Sequence, residues 1–138
     1  SKRKRKKLKK TSIMIHFNYE EFDSPDEVGS GLPTGDGGKM CIDFLHKLDE
    51  ARSISNTPYK INSGCRSKAH NERVGGRIGS SHAKVPCKAV DIHCTNSHER
   101  TLILKGLFQA GLGRRVGIAK TFIHVDMDYD KPAAIWLY

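Results

Sequence analysis

The sequence predicts an α+β fold, with helices packed on a small antiparallel sheet, on three observations. Apolar residues recur at helical spacing over residues 40–52 and again over 96–110. They alternate with polar ones, as in half-buried strands, over 88–94 and 121–128. The resulting order of helix, strand, short helix, strand, helix and hairpin suggests helices packed on an antiparallel sheet.

The chain begins with a basic tail, residues 1–12, in which eight of the first ten residues are Lys or Arg. Like charges this dense repel one another, so the tail is expected to be disordered. Beyond it, 16 basic residues face 15 acidic ones, so the net charge of +9 belongs to the tail and the body is near neutral. The tail could bind nucleic acid or another anionic surface through phosphate contacts. The plainer alternative is a solubilising extension. A secretory signal is not expected, because only Ile13, Met14 and Ile15 follow the basic run before polar residues resume.

Residues 13–138 are expected to form one domain, a length suited to one core. Residues 13–22 mix apolar and polar side chains and read as an edge strand. Residues 24–39, rich in glycine and with two prolines, read as loop. In the helix of 40–52, Cys41, Leu45, Leu48 and Arg52 share one stripe, and Cys41 reads as buried core. Residues 59–62 form a short strand. Ser67 caps a short helix running to Arg73, which Gly75 and Gly76 end. After the Gly79-Ser80-Ser81 loop, the strand of 88–94 turns Val90 and Ile92 one way and Ala89, Asp91 and His93 the other. Asn96 with Glu99 looks like a capping box opening the next helix, whose apolar face holds Ile103, Leu104, Leu107 and Phe108. Residues 116–118 and 121–128 make a hairpin turning at Ala119-Lys120, with Phe122, His124, Asp126 and Asp128 on one face. Residues 135–138 close the sheet as an edge strand. No stretch approaches the ~20 apolar residues that a membrane helix requires, so no span is expected. The four cysteines lack a C-x-x-C pair. Cys87 and Cys94 flank one strand, but their spacing does not establish a bridge, and reduced thiols are expected.

Metal chemistry is suggested by Asp91 and His124, each on the face of its strand opposite the apolar side chains, and by His82 at the end of a small-residue loop. Zinc takes His nitrogen and carboxylate oxygen, and a catalytic site has three protein ligands and one open position. Singly, each residue has a duller reading, as a hydrogen-bonded strand histidine or a solvent-facing aspartate.

The wider pattern is more specific. Ser63-Gly64-Cys65-Arg66-Ser67, His70-Asn71, Gly75-Gly76, Ser80-Ser81-His82, Ala89-Val90-Asp91 and Phe122-Ile123-His124-Val125-Asp126 occur in that order. Together they resemble the zinc D-alanyl-D-alanine carboxypeptidase family, which includes vancomycin-resistance dipeptidases and phage endolysin metallopeptidases and is structurally akin to the hedgehog signalling domain. The resemblance runs from about Phe22 to Tyr138. It implies a hedgehog-like fold, zinc (Zn2+) on His82, Asp91 and His124, and Arg66 as the cation that meets the substrate carbonyl or carboxylate. Ser81 and His70 become substrate contacts. The implied activity is hydrolysis of peptidoglycan stem peptides as a carboxypeptidase or endopeptidase, in lysis or wall remodelling. The implied setting is the cytoplasm of a bacterial host or a phage particle.

The chain departs from the family pattern in three places. The spacing from His82 to Asp91 is two residues longer, with Val85-Pro86-Cys87-Lys88 where a glycine is usual. Cys65 stands in place of tyrosine. Thr121 stands where many members carry an acidic base. Asp126 is the candidate general base, and an equal reading makes it the group that orients a ligand histidine. Two other functions are compatible with the sequence: a non-catalytic zinc module binding cell wall or a protein, and nucleic-acid binding through the tail.

Overall fold

A computed structural model of the chain describes residues 14–24 and 39–138. The basic tail, Ile13 and most of the 24–39 loop lie outside the described residues. Among the described residues, three α-helices, α1 (Ile42–Ser55), α2 (Lys68–Arg73) and α3 (Ser97–Gln109), accompany five strands: β1 (Ile61–Ser63), β2 (Ala89–His93), β3 (Arg115–Ile118), β4 (Phe122–Asp126) and β5 (Ala134–Leu137). The strands form one sheet in the order β1-β2-β4-β3-β5.

Strand alternation divides the sheet into an apolar face and a polar one. Val90, Ile92, Val116, Ile123 and Val125 point to the apolar face and are fully buried, as are Phe44 and Leu48 of α1 and Leu107 of α3. Each such side chain contributes roughly 1.5–3 kcal/mol by leaving water. The opposite face carries Asp91, His124 and Asp126, which β2 and β4 bring side by side through the pairs Asp91 with His124 and Ala89 with Asp126.

Local signals in the sequence account for the element ends. Asn56 ends α1 in the left-handed region at φ 49°. Ser67 Oγ accepts from the His70 amide at 3.0 Å and caps α2. Asn96 Oδ1 accepts from the Glu99 amide at 2.9 Å and caps α3.

Several expectations need correcting. Residues 14–22 form no strand. The amides of Ile15 and His16 donate to the two oxygens of Asp49 on α1, each at 2.9 Å. An Asn18–Glu21 capping box then turns Tyr19–Phe22 into a 3-10 helix. Those amides are spent on a side chain and cannot join a sheet ladder. Cys41 precedes α1 and is half-buried instead of lying in the core, and Phe108 is exposed. The sheet is not wholly antiparallel, because β5 runs parallel to β3. The cause is the loop after β4. Arg114 donates to the carbonyls of Asp128 (3.1 Å) and Lys131 (2.6 Å), and Arg115 donates to that of Pro132 (2.6 Å). These bonds carry the chain back to the start of β3, where the Ala134 amide donates to Arg114 O at 3.0 Å. Strand β4 stops at Asp126, so Asp128 lies beyond it. No cysteine among the described residues is in a disulfide.

Candidate metal centre

His82, Asp91 and His124 come together from three separate places. His82 lies in a 3-10 turn, Ser81–Ala83, and the other two lie on adjacent strands. Between His82 and Asp91 the chain makes an excursion at Val85-Pro86, both exposed. The chain returns at Cys87, which pairs with Met40. His82 Nε2 stands 3.3 Å from Asp91 Oδ1 and 3.3 Å from His124 Nδ1, and His124 Nδ1 stands 3.0 Å from Asp91 Oδ1. Ligands about 2.0–2.2 Å from a tetrahedral ion stand about 3.3–3.6 Å apart. The triangle therefore has nearly the size of three corners around zinc, and the atoms are two imidazole nitrogens and a carboxylate oxygen.

Each ligand is held from behind. His82 Nδ1–H donates to Gly64 O at 2.7 Å, which leaves the Nε2 lone pair facing the triangle. Gly64 is needed there because the Phe22 backbone crosses so closely that a Cβ would meet Phe22 Cα at 2.8 Å. His124 Nε2–H donates to Asp126 Oδ2 at 2.6 Å, so its Nδ1 is the atom offered. Outer bonds of this kind fix the tautomer and orientation of metal-binding histidines.

The electrostatics favour positive charge at the centre of the triangle. Burial pushes the Asp91 carboxyl up, but the closeness of the His124 and His82 rings, when these carry positive charge, outweighs it and holds Asp91 well below the usual carboxylate range. Burial pushes His124 down, yet its bonds to Asp126 and Asp91 prevail and raise its pKa. Donor set, spacing and charge all fit a zinc ion.

The triangle opens onto a cleft of about 580 Å³, lined by Arg66, Ser81, Arg115, Trp136 and Tyr138 among others, a volume ordinary for a site that takes a small ligand or a short peptide. Arg66 is fixed on three sides. Its Nε donates to Ser63 Oγ at 3.0 Å, its Nη1 donates to Asn71 Oδ1 at 3.2 Å, and its Nη2 lies 3.5 Å from Asp91 Oδ2. Asn71 is itself held by donating to Arg77 O at 3.1 Å. The Ser-Gly-Cys-Arg-Ser and His-Asn motifs thus build one support for one guanidinium. Ser81 lies in the cleft wall, with its hydroxyl donating to Asp128 Oδ2 at 2.6 Å. His70 uses its amide to close the α2 cap, and its side chain is not among those lining the cleft. Asp126 is 1% exposed. His93 is exposed at the far end of β2, away from the triangle.

Arg115 and Trp136 were not singled out from the sequence. Arg115 was legible in principle. The hairpin turns at Lys120-Thr121, one residue later than expected, and pairs Ile118 with Ile123; counting back from that pair sets Arg115 beside Asp126. Trp136 was not legible, because it arrives through the parallel pairing of β5, which no local pattern announces.

A buried His/Asp/His triangle of zinc-binding size, open to a cleft beside a fixed arginine, is the equipment of a zinc-dependent hydrolase. The chain belongs to the Peptidase M15 family, whose model matches residues 15–126. It is accordingly a metallopeptidase, as the sequence motifs implied. No curated protein matches the chain. No helix among the described residues is long and apolar enough to cross a membrane.

Proposed function

We propose that the chain hydrolyses peptide bonds in bacterial peptidoglycan stem peptides, with zinc on His82, Asp91 and His124. The observation that carries this reading is the ligand triangle opening onto a cleft with Arg66 at its edge. A zinc ion held there supplies Lewis-acid polarisation of a carbonyl and activation of water near neutral pH. Arg66 lies beside the ligand Asp91, on the rim where a scissile carbonyl would lie, and its guanidinium stabilises the oxyanion as it forms. Ser81 shapes the cleft wall beside the substrate.

Asp126 takes the orienting role in this proposal. Its Oδ2 is engaged by His124 and its Oδ1 accepts from both Arg115 Nε (2.9 Å) and the Asp128 amide (3.0 Å). A carboxylate so fully engaged would have to release His124 to take a proton from water. The similarity to D-alanyl-D-alanine carboxypeptidases and phage endolysin peptidases supports substrates with D-amino acids and a role in wall lysis or remodelling.

The test is metal content, then product mass. The purified chain should hold close to one zinc, and His82→Ala should hold little. Purified peptidoglycan and synthetic stem peptides, incubated with each protein, should release fragments only with the native chain. The fragment masses name the bond cut and separate carboxypeptidase from endopeptidase action. Bound zinc with no cleavage of any stem peptide would overturn the substrate proposal in favour of a wall-binding role.

A further inference from the structure

We infer that Arg115 is a positioning residue of the metal centre: through Asp126 it fixes the ring orientation and tautomer of His124. The inference rests on the zinc reading above. Arg115 lies on β3, whose pairing of Val116 with Val125 sets it next to Asp126 of β4. It is 9% exposed, and a charge so buried is costly unless it is paired and hydrogen-bonded. The pairing is explicit. Arg115 Nε donates to Asp126 Oδ1 at 2.9 Å and Nη1 to Pro132 O at 2.6 Å, and the guanidinium lies 5.0 Å from the centre of the Trp136 ring.

This arrangement leaves Asp126 one way to stand. Arg115 Nε holds Oδ1 from one side while its Nη1 is anchored on Pro132 O, the Asp128 amide holds Oδ1 from another, and Oδ2 is thereby aimed at His124 Nε2. His124 can then offer only Nδ1 to the other two ligands. The ring is also flanked by Trp136, 5.4 Å away between centroids. Arg115 touches both neighbours of His124, the carboxylate below it and the indole beside it, without touching the ligand triangle itself. Losing the guanidinium would free Asp126 to rotate, and His124 could then present either nitrogen.

The experiment compares the full-length native chain with Arg115→Gln and Arg115→Lys. Two quantities are read: zinc affinity, by competition with a chromophoric chelator, and the His124 tautomer, by long-range ¹H–¹⁵N correlation of its ring nitrogens. The native chain should show His124 protonated at Nε2 with Nδ1 bound to zinc. Arg115→Gln should bind zinc about 10- to 100-fold more weakly, as removing outer partners of metal ligands generally does, and should show mixed His124 ring signals. Arg115→Lys keeps the charge but replaces a planar fork with a point donor. It should fall between the two, and it carries the comparison if the glutamine variant does not fold. Variants that are folded, bind zinc as tightly as the native chain and keep its single tautomer would overturn this inference alone. A native chain that takes up no zinc would overturn the zinc reading and this inference with it.

Discussion

Two carboxylates lie within bonding reach of His124, and their surroundings give them different work. Asp91 offers Oδ1 to the triangle and leaves Oδ2 beside the Arg66 guanidinium, 3.5 Å away. Asp126 is spent on Arg115, on a backbone amide and on the far nitrogen of His124. Burial pushes the Asp126 carboxyl up, but its bonds to His124 and Asp128 hold it below the usual range, so it is a weak base as well as a fully engaged one. Asp126→Asn separates the two roles. If Asp126 orients His124, zinc affinity should fall about 10- to 100-fold, and turnover should largely return once zinc is saturating. If it is the general base, the variant should bind zinc normally and stay inactive at any zinc concentration. Zinc titration followed by rate measurement on the loaded variant decides between them.

Strand pairing assembles the centre by placing Asp91, His124, Gly117 and Trp136 in one row across β2, β4, β3 and β5. The glycine in that row is what lets the indole lean towards His124. A Cβ at Gly117 would meet Trp136 Cε2 and Nε1 at 2.6 Å and Tyr138 Cε2 at 2.7 Å. Gly117→Ala should therefore push the rings away, at an overpacking cost of about 1–3 kcal/mol. Trp136 is the sole tryptophan, so a shift in its emission reports the displacement, and the urea midpoint reports the cost. An unchanged spectrum and midpoint would mean the row has slack. This element scale also shows what the sequence could and could not convey. Period-two alternation put Asp91 and His124 on the polar face, but the pairing of β2 with β4 is between strands separated by α3 and β3, and no local turn announces it. The partners behind the ligands were hidden: one is a backbone carbonyl, Gly64 O, which carries no side-chain signature. Over the described residues 14–22 the strand reading failed because the amides of Ile15 and His16 bond to a carboxylate 34 and 33 residues away, a tertiary contact that periodicity cannot register.

At the scale of the whole molecule, the turn that carries His82 is tied to the loop after β4 through one buried carboxylate. Asp128 accepts from Ser81 Oγ at 2.6 Å, and Lys84 Nζ lies 2.8 Å from it. Burial alone would raise the Asp128 pKa, but its bonds to Lys84 and Ser81 hold it down at about 2, against 3.8 for an ordinary aspartate. A folded pKa below the unfolded one means that the unfolded chain takes up the proton more readily. The stabilisation is therefore complete above the unfolded value and is lost as pH falls from about 4 towards 2. Other depressed carboxylates, Asp91 and Asp126 among them, add to the same acid limb, so the native curve alone does not isolate Asp128. Subtracting the curve of Asp128→Asn does. The asparagine cannot ionise, so the native chain should exceed the variant in stability by a constant margin from pH 7 to about 5. That margin should narrow steadily below about pH 4. Urea midpoints of both proteins across this range measure it. A margin that stays constant into acid would mean that Asp128 ionises alike in the folded and unfolded chain, and the tie between the His82 turn and the β4 loop would then not depend on its charge.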